Sequence, residues 1–97
     1  MDYLEKYNLK KEDITKIRKR FNKDIVNKFE VMEDNVCQVL DYLTSLNIKN
    51  IKNLILNRPD ICFMDVDILK EKISKFDSQL IKFVFDEDEQ NLMNFDI

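Results

Sequence analysis

Apolar residues recur every three or four positions along most of the chain, which is the spacing of one face of an α-helix. The first series predicts a helix in the N-terminal third and comprises Ile14, Ile17, Phe21, Ile25 and Phe29. A second series predicts the next helix and comprises Val36, Val39, Leu40, Leu43 and Leu46. From Asn22 to Lys28 the first helix either continues or breaks into a second turn, because residue propensities do not distinguish the two.

Asparagines near the ends of these series predict where helices begin and end. Asn8 and Asn35 are candidate N-caps, and Gln38 stands at capping-box spacing after Asn35. Asn47 is expected to end the second helix in a left-handed conformation, which asparagine tolerates better than most residues. Asn50 can then cap a third, short helix.

Pro59 is the only proline in the chain and predicts a helix boundary. It lacks a backbone donor and disfavours helical geometry at Arg58, so the third helix should end near Asn57. The segment from Pro59 to Phe63 is expected to form a short 3₁₀ turn.

The C-terminal third is predicted to hold a fourth helix, a short fifth helix and a last amphipathic turn. Asp65 or Asp67 can cap the fourth helix, and Ser78 can cap the fifth. Residues 80–85 are rich in β-branched and aromatic side chains, but a single strand would have no partner in a helical chain, so we expect a helix there. The stripe of the fourth helix is Leu69, Ile73 and Phe76, and that of the last turn is Leu92, Met93 and Phe95.

Together these elements predict one all-α domain over residues 1–97, with five or six short helices. A chain of this length is typical of a single domain. Its predicted core comprises Ile14, Ile17, Phe21, Val36, Leu40, Leu43, Leu46, Ile51, Leu54, Ile61, Phe63, Leu69, Ile73 and Phe76.

The chain also contains two similar stretches, which predict short helical-hairpin repeats. The segment 4–9 aligns with 43–48, and both continue into a short amphipathic helix followed by a second helix. This divides the chain into a degenerate repeat (4–43), a clearer repeat (43–76) and a C-terminal remnant (77–97). Chance similarity between two amphipathic helical stretches is the alternative explanation.

Residues 43–76 resemble one repeat of the mitochondrial transcription termination factor (mTERF) family. The matching elements are a Leu-x-x-Leu turn at Leu43, an Ile-x-x-Leu-Ile helix at Ile51, a turn at Pro59 and a helix stripe that begins at Leu69. Asn47 stands where the family motif has glycine. The resemblance implies triangular helix-helix-3₁₀ units, which in family members stack into a curved solenoid and hold duplex nucleic acid through basic residues.

The residue types that are missing exclude several kinds of chemical site. The chain has no glycine, histidine, alanine or tryptophan, so it lacks Gly-rich phosphate loops, Ser-His or Cys-His couples and His-ligated metal sites. Helix capping accounts for Asp65 and Asp67, and a solvated loop for the acidic run from Asp86 to Glu89. We therefore expect no enzyme, no cofactor and no metal site.

Cys37 and Cys62 are the only cysteines, and each lies in an apolar stretch. Both are expected to be small buried hydrophobic residues in a reducing environment rather than a disulfide or a metal pair. No signal peptide and no membrane-length apolar run is recognisable. These observations predict an intracellular, by default cytoplasmic, protein.

Charge is distributed unevenly along the chain. The net charge is −3, yet residues 1–30 carry nine basic and six acidic side chains, whereas residues 31–97 carry seven and thirteen. At about 100° per residue Lys16, Lys19, Arg20 and Lys23 lie within about 100° of one another and form one basic face opposite the apolar stripe. That face is either ordinary solvated surface or a contact site for phosphate or an acidic protein.

The sequence therefore predicts a non-catalytic helical module for protein–protein interaction, acting as an adaptor or an inhibitor. Short helical arrays leave end faces and concave sides that bind partners, and the opposite charges of the two halves also permit self-association. The alternative is a small mTERF-like nucleic-acid-binding module that acts in transcription or its regulation, with only weak binding because the chain is acidic overall.

Overall fold

A computed structural model describes all residues from 1 to 97 and contains helices joined by short connections, without a β-strand. The all-α prediction is thus confirmed. The predicted count of five or six helices is wrong, because the chain forms seven α-helices and two 3₁₀ helices. The α-helices are α1 (Lys11–Arg20), α2 (Lys23–Val31), α3 (Glu33–Ser45), α4 (Ile51–Asn57), α5 (Pro59–Cys62), α6 (Val66–Ser74) and α7 (Ser78–Glu87), and the 3₁₀ helices are Asp2–Tyr7 and Glu89–Phe95.

The first predicted helix is interrupted by a bend at Phe21. This residue is extended, with φ −102° and ψ 154°, and it ends α1. The Asn22 side chain then accepts a hydrogen bond of 3.0 Å from the Ile25 backbone N–H and starts α2. Of the two alternatives left open by the sequence, the break is therefore the one observed.

Two of the predicted helix ends are confirmed, and the local chemistry explains them. The Asp65 carboxylate caps α6 by accepting hydrogen bonds from the backbone N–H groups of Asp67 and Ile68. Asn47 adopts the left-handed conformation expected after the second helix, with φ 62°.

Four other predicted caps are wrong, and one of them is Asn50, which precedes α4 without a side-chain capping bond. Asn8 is also left-handed, at φ 67°, and ends the N-terminal 3₁₀ helix instead of starting α1. Asn35 lies inside α3, where its amide donates to the carbonyls of Cys62 and Met64. Asp77, rather than Ser78, caps α7.

The proline boundary is confirmed, since α4 ends at Asn57. The segment that begins at Pro59 is a single α-helical turn, so the predicted 3₁₀ turn is wrong in type. Residues 80–85, whose composition also suits a β-strand, lie within α7, so the predicted helix is confirmed there.

The core consists of 24 buried residues, all of them apolar, and no polar or charged residue is buried. Ten of the predicted core residues are among them. The remaining four, which are only half-buried against the core, are Phe21, Leu46, Phe63 and Phe76. The prediction missed the buried residues of the terminal 3₁₀ helices and of α7, notably Leu4, Ile81, Val84, Phe85 and Leu92.

The packing of α1 and α2 creates a groove on the surface of the protein. Helix α1 packs against the N-terminal 3₁₀ helix and α4, whereas α2 packs against α3. Because the two helices on either side of the Phe21 bend rest on different neighbours, a groove opens between them. None of the helices combines the length and the apolar character that crossing a membrane would require.

Candidate functional site

The four predicted site residues are all exposed, but they do not lie on one helix. Lys16, Lys19 and Arg20 share the outer side of α1, whereas Lys23 lies beyond the bend as the first residue of α2. The structure thus keeps three of these cations on one helix face and places the fourth on a second helix. None of the four forms an ion pair.

Arg20 differs from the three lysines because it has a contact within the protein. Its Nε donates a hydrogen bond of 2.8 Å to the Leu56 carbonyl, in the last turn of α4. Carbonyls at a helix C-terminus lack helical partners and attract cations. Arg20 therefore connects α1 to α4, and Lys16, Lys19 and Lys23 are the cations of this set that remain without a protein partner.

The largest concavity of the surface is the α1–α2 groove, with a volume of about 530 Å³. Its apolar floor is formed by Phe21 and Val26, which are both half-buried. Its rim is polar and consists of Arg18, Lys23, Asp24, Asn27 and Glu30. The groove is thus lined by two apolar and five polar or charged residues.

An ion pair joins the two helices that border the groove. Arg18 Nη2 lies 3.3 Å from Glu30 Oε1, and the Glu30 carboxylate also accepts hydrogen bonds of 3.0 Å from the Met1 amino group. Since Arg18 and Glu30 are about half-exposed, their pair contributes at most about 1 kcal/mol. Arg18 is thus engaged within the protein, and Lys23 is the unpaired cation of the rim.

The acidic run is not the solvated loop that the sequence predicted. Helix α7 continues to Glu87, and the Asp86 carboxylate accepts hydrogen bonds from the backbone N–H groups of Lys49 (2.7 Å) and Asn50 (3.0 Å). Glu89 accepts hydrogen bonds from the side-chain amides of Asn50 and Asn57. Asp86 and Glu89 therefore attach the C-terminal segment to α4, which leaves Glu87 and Asp88 exposed.

The titratable groups with shifted pKa values are engaged in structural contacts. Burial raises the pKa of the Cys62 thiol to about 12, so this side chain stays protonated and unreactive at neutral pH. The Tyr7 hydroxyl donates to the Asp41 carboxylate at 2.8 Å, and burial followed by this bond raises the Tyr7 pKa. No three His, Cys, Asp or Glu side chains come close enough together to hold a metal ion.

Sequence reasoning missed a second surface feature, which we call the α7 outer face. It comprises Leu80, Phe83 and Glu87, which at about 100° per residue lie within about 60° of one another. Phe83 is 58% exposed and Leu80 43% exposed, whereas Ile81 and Val84 are buried. The exposure of Phe83 could have been predicted from the helix period, which places it on the side of α7 opposite Ile81 and Val84.

No protein-family model, no curated protein and no solved structure matches this chain. What the α1–α2 groove and the α7 outer face can bind therefore has to follow from their own shape and chemistry.

Proposed function

We propose that the chain is a non-catalytic protein-binding module and that the α1–α2 groove is its docking surface. The observation that carries this proposal is the combination of Phe21 and Val26 on the floor with a polar rim in the largest concavity. Apolar side chains at the centre of a contact, surrounded by polar groups, are typical of protein–protein interfaces.

The groove suits an apolar side chain of a partner better than a phosphate. A phosphate needs several converging donors, whereas the rim offers one unpaired cation, Lys23, beside the carboxylate of Asp24. Cys37 and Cys62 are free thiols, which supports an interaction that takes place in a reducing, intracellular environment.

Affinity capture from native lysate, with and without nuclease, tests this function. We expect captured proteins to survive nuclease treatment and to be lost when carboxylates are placed in the groove by Lys23→Glu with Asn27→Glu. Both side chains are exposed, so the core should be unaffected. The readout is the set of proteins that wild type retains and the groove variant does not.

The matched control is Lys75→Glu with Asn53→Glu, which makes the same two kinds of substitution at exposed positions outside the groove. It should capture the same proteins as wild type. Loss of every partner after nuclease, or equal capture by the groove variant, would contradict the proposal.

The second candidate is a small nucleic-acid-binding module, as the resemblance to the mTERF family implies. The observation in its favour is the cluster of exposed cations on the outer side of α1, formed by Lys16, Lys19 and Arg20. Three phosphate contacts would give a slope of about −2.7 in log affinity against log salt. A net charge of −3 opposes such binding.

We expect the isolated chain to bind duplex DNA with a dissociation constant weaker than micromolar at about 150 mM salt. Fluorescence anisotropy over a salt series measures both the affinity and the slope. The informative variant is Lys16→Glu with Lys19→Glu, because it spares the Arg20 bond to α4. Sub-micromolar binding that this variant abolishes would favour the nucleic-acid function over the groove.

We also propose that the chain consists of a degenerate mTERF-like helical repeat (4–43), a clearer one (43–76) and a C-terminal remnant (77–97). Asn8 and Asn47, which the alignment pairs, are both left-handed, and their N–H groups donate to the likewise paired carbonyls of Glu5 and Thr44. Each is followed by a buried apolar residue, Leu9 or Ile48. The units differ further along. Helix α2 has nine residues where α5 has four, and α3 has 13 where α6 has nine.

A further inference from the structure

The α7 outer face has the composition of a docking segment. Phe83 is exposed on one side of α7. Ile81, Val84 and Phe85 lie on the opposite side and are buried in the core. Leu80 extends the apolar surface by one turn towards the N-terminus, and Glu87 adds a carboxylate one turn towards the C-terminus. An aromatic residue flanked by a leucine and a free acid is suited to a groove with apolar side chains and an unpaired cation on its rim.

The α1–α2 groove is complementary to this face. Phe21 and Val26 can accept the Phe83 ring on the apolar floor. Glu87 follows Phe83 by one helical turn, a rise of about 6 Å. Lys23, the rim cation without an ion-pair partner, is the group on the rim with which Glu87 can pair.

We propose that the α7 outer face of one copy of this chain docks in the α1–α2 groove of a second copy. The proposal rests on the proposed function of the groove as a protein-docking surface, and it names a second copy as the occupant. Since the two surfaces are different, the contact is heterologous, and copies add head to tail.

The charge distribution favours this orientation at longer range. Residues 1–30, which include the groove, carry a net charge of +3, because nine basic side chains outnumber six acidic ones. Residues 31–97, which include α7, carry −6 from seven basic and thirteen acidic side chains. The segment that contains the groove is thus net basic and the segment that contains α7 is net acidic, which favours their encounter, and salt weakens this attraction.

Sedimentation of the full chain over a concentration series tests the proposal. At low salt we expect the weight-average mass to rise above 11.7 kDa as the concentration approaches about 1 mM, the range of weak associations. Phe83→Ser should reduce the association constant at least tenfold. Met93→Ser, which replaces another exposed apolar side chain (74% exposed), should leave it unchanged.

Charge exchange tests the orientation of the contact. Lys23→Glu and Glu87→Lys should each weaken self-association about tenfold, because each puts two like charges in contact. An equimolar mixture of the two variants should associate again, because both contacts are then attractive: Lys23 of one variant meets Glu87 of the other, and the two exchanged residues meet each other. This restoration on mixing is expected only if these two surfaces meet.

A monomer at every concentration, or association that neither Phe83→Ser nor charge reversal reduces, would overturn self-docking. The failure of self-docking can be distinguished from the failure of the proposed protein-binding function. If the chain stays monomeric while Lys23→Glu with Asn27→Glu still abolishes lysate capture, the groove binds a different protein and only the second-copy occupant is wrong.

Discussion

Truncation of Leu43 to alanine is expected to lower the free energy of unfolding by about 2–5 kcal/mol. Leu43 is completely buried in α3, the longest helix, which packs against α2, α5 and α6. Removing its side chain loses apolar burial and leaves a cavity in the core. Since small domains are stable by only about 5–15 kcal/mol, the change should be large in urea unfolding followed by far-UV circular dichroism.

Val31→Ala provides the matched control for this measurement. Val31 is also an apolar residue in a helix, but it is 75% exposed at the end of α2. Its truncation should change the free energy of unfolding by no more than about 0.5 kcal/mol. Equal losses in the two variants would contradict the complete burial of Leu43.

The central helices were predictable because their burial repeats with the period of the helix. In α3, Val36, Val39, Leu40 and Leu43 are all completely buried, as the spacing of this series indicates. The bend at Phe21 was not predictable in the same way. The apolar series runs through it unchanged to Ile25 and Phe29, so periodicity alone cannot distinguish one helix from two.

Capping predictions failed where an asparagine found a distant partner. The Asn35 amide donates to the Cys62 carbonyl, 27 residues away, instead of capping α3. Asn50 stands before α4 as predicted, but its side chain makes no cap, and the Asp86 carboxylate accepts from its N–H across 36 residues. Sequence rules for caps consider only neighbouring residues and cannot identify such contacts.

The candidate site was predictable only in part for the same reason. The sequence identified Lys16, Lys19 and Arg20 on one side of α1, because helix geometry relates them directly. It could not identify the α1–α2 groove, which exists because the chain bends at Phe21. Nor could it show that Arg20 contacts the Leu56 carbonyl of α4, 36 residues away.

The Asp86 carboxylate is the second group whose loss should strongly destabilise the fold. It accepts hydrogen bonds from the N–H groups of Lys49 and Asn50 before α4 and from Lys82 Nζ at 2.6 Å. No other side chain caps this helix. Asp86→Ala would leave these donors without their acceptor, and we expect a loss of about 1–3 kcal/mol in the free energy of unfolding at pH 7.

The loss in the free energy of unfolding caused by Asp86→Ala should become smaller at low pH. Burial alone would raise the pKa of Asp86, but hydrogen bonds from Lys82, Lys49 and Asn50 outweigh it and hold the pKa below its usual value. A folded-state pKa below the unfolded value of about 3.9 makes the stabilisation complete well above that pH. It disappears as the pH falls through the folded-state pKa.

Urea unfolding of wild type and Asp86→Ala between about pH 7 and pH 2.5 measures this dependence. We expect the difference in the free energy of unfolding to be constant down to about pH 5 and to shrink below about pH 4. Asp88→Ala is the control, since the Asp88 side chain is exposed and makes no hydrogen bond. A difference that stays constant to the lowest pH would mean that the ionised Asp86 carboxylate does not hold α7 to the start of α4.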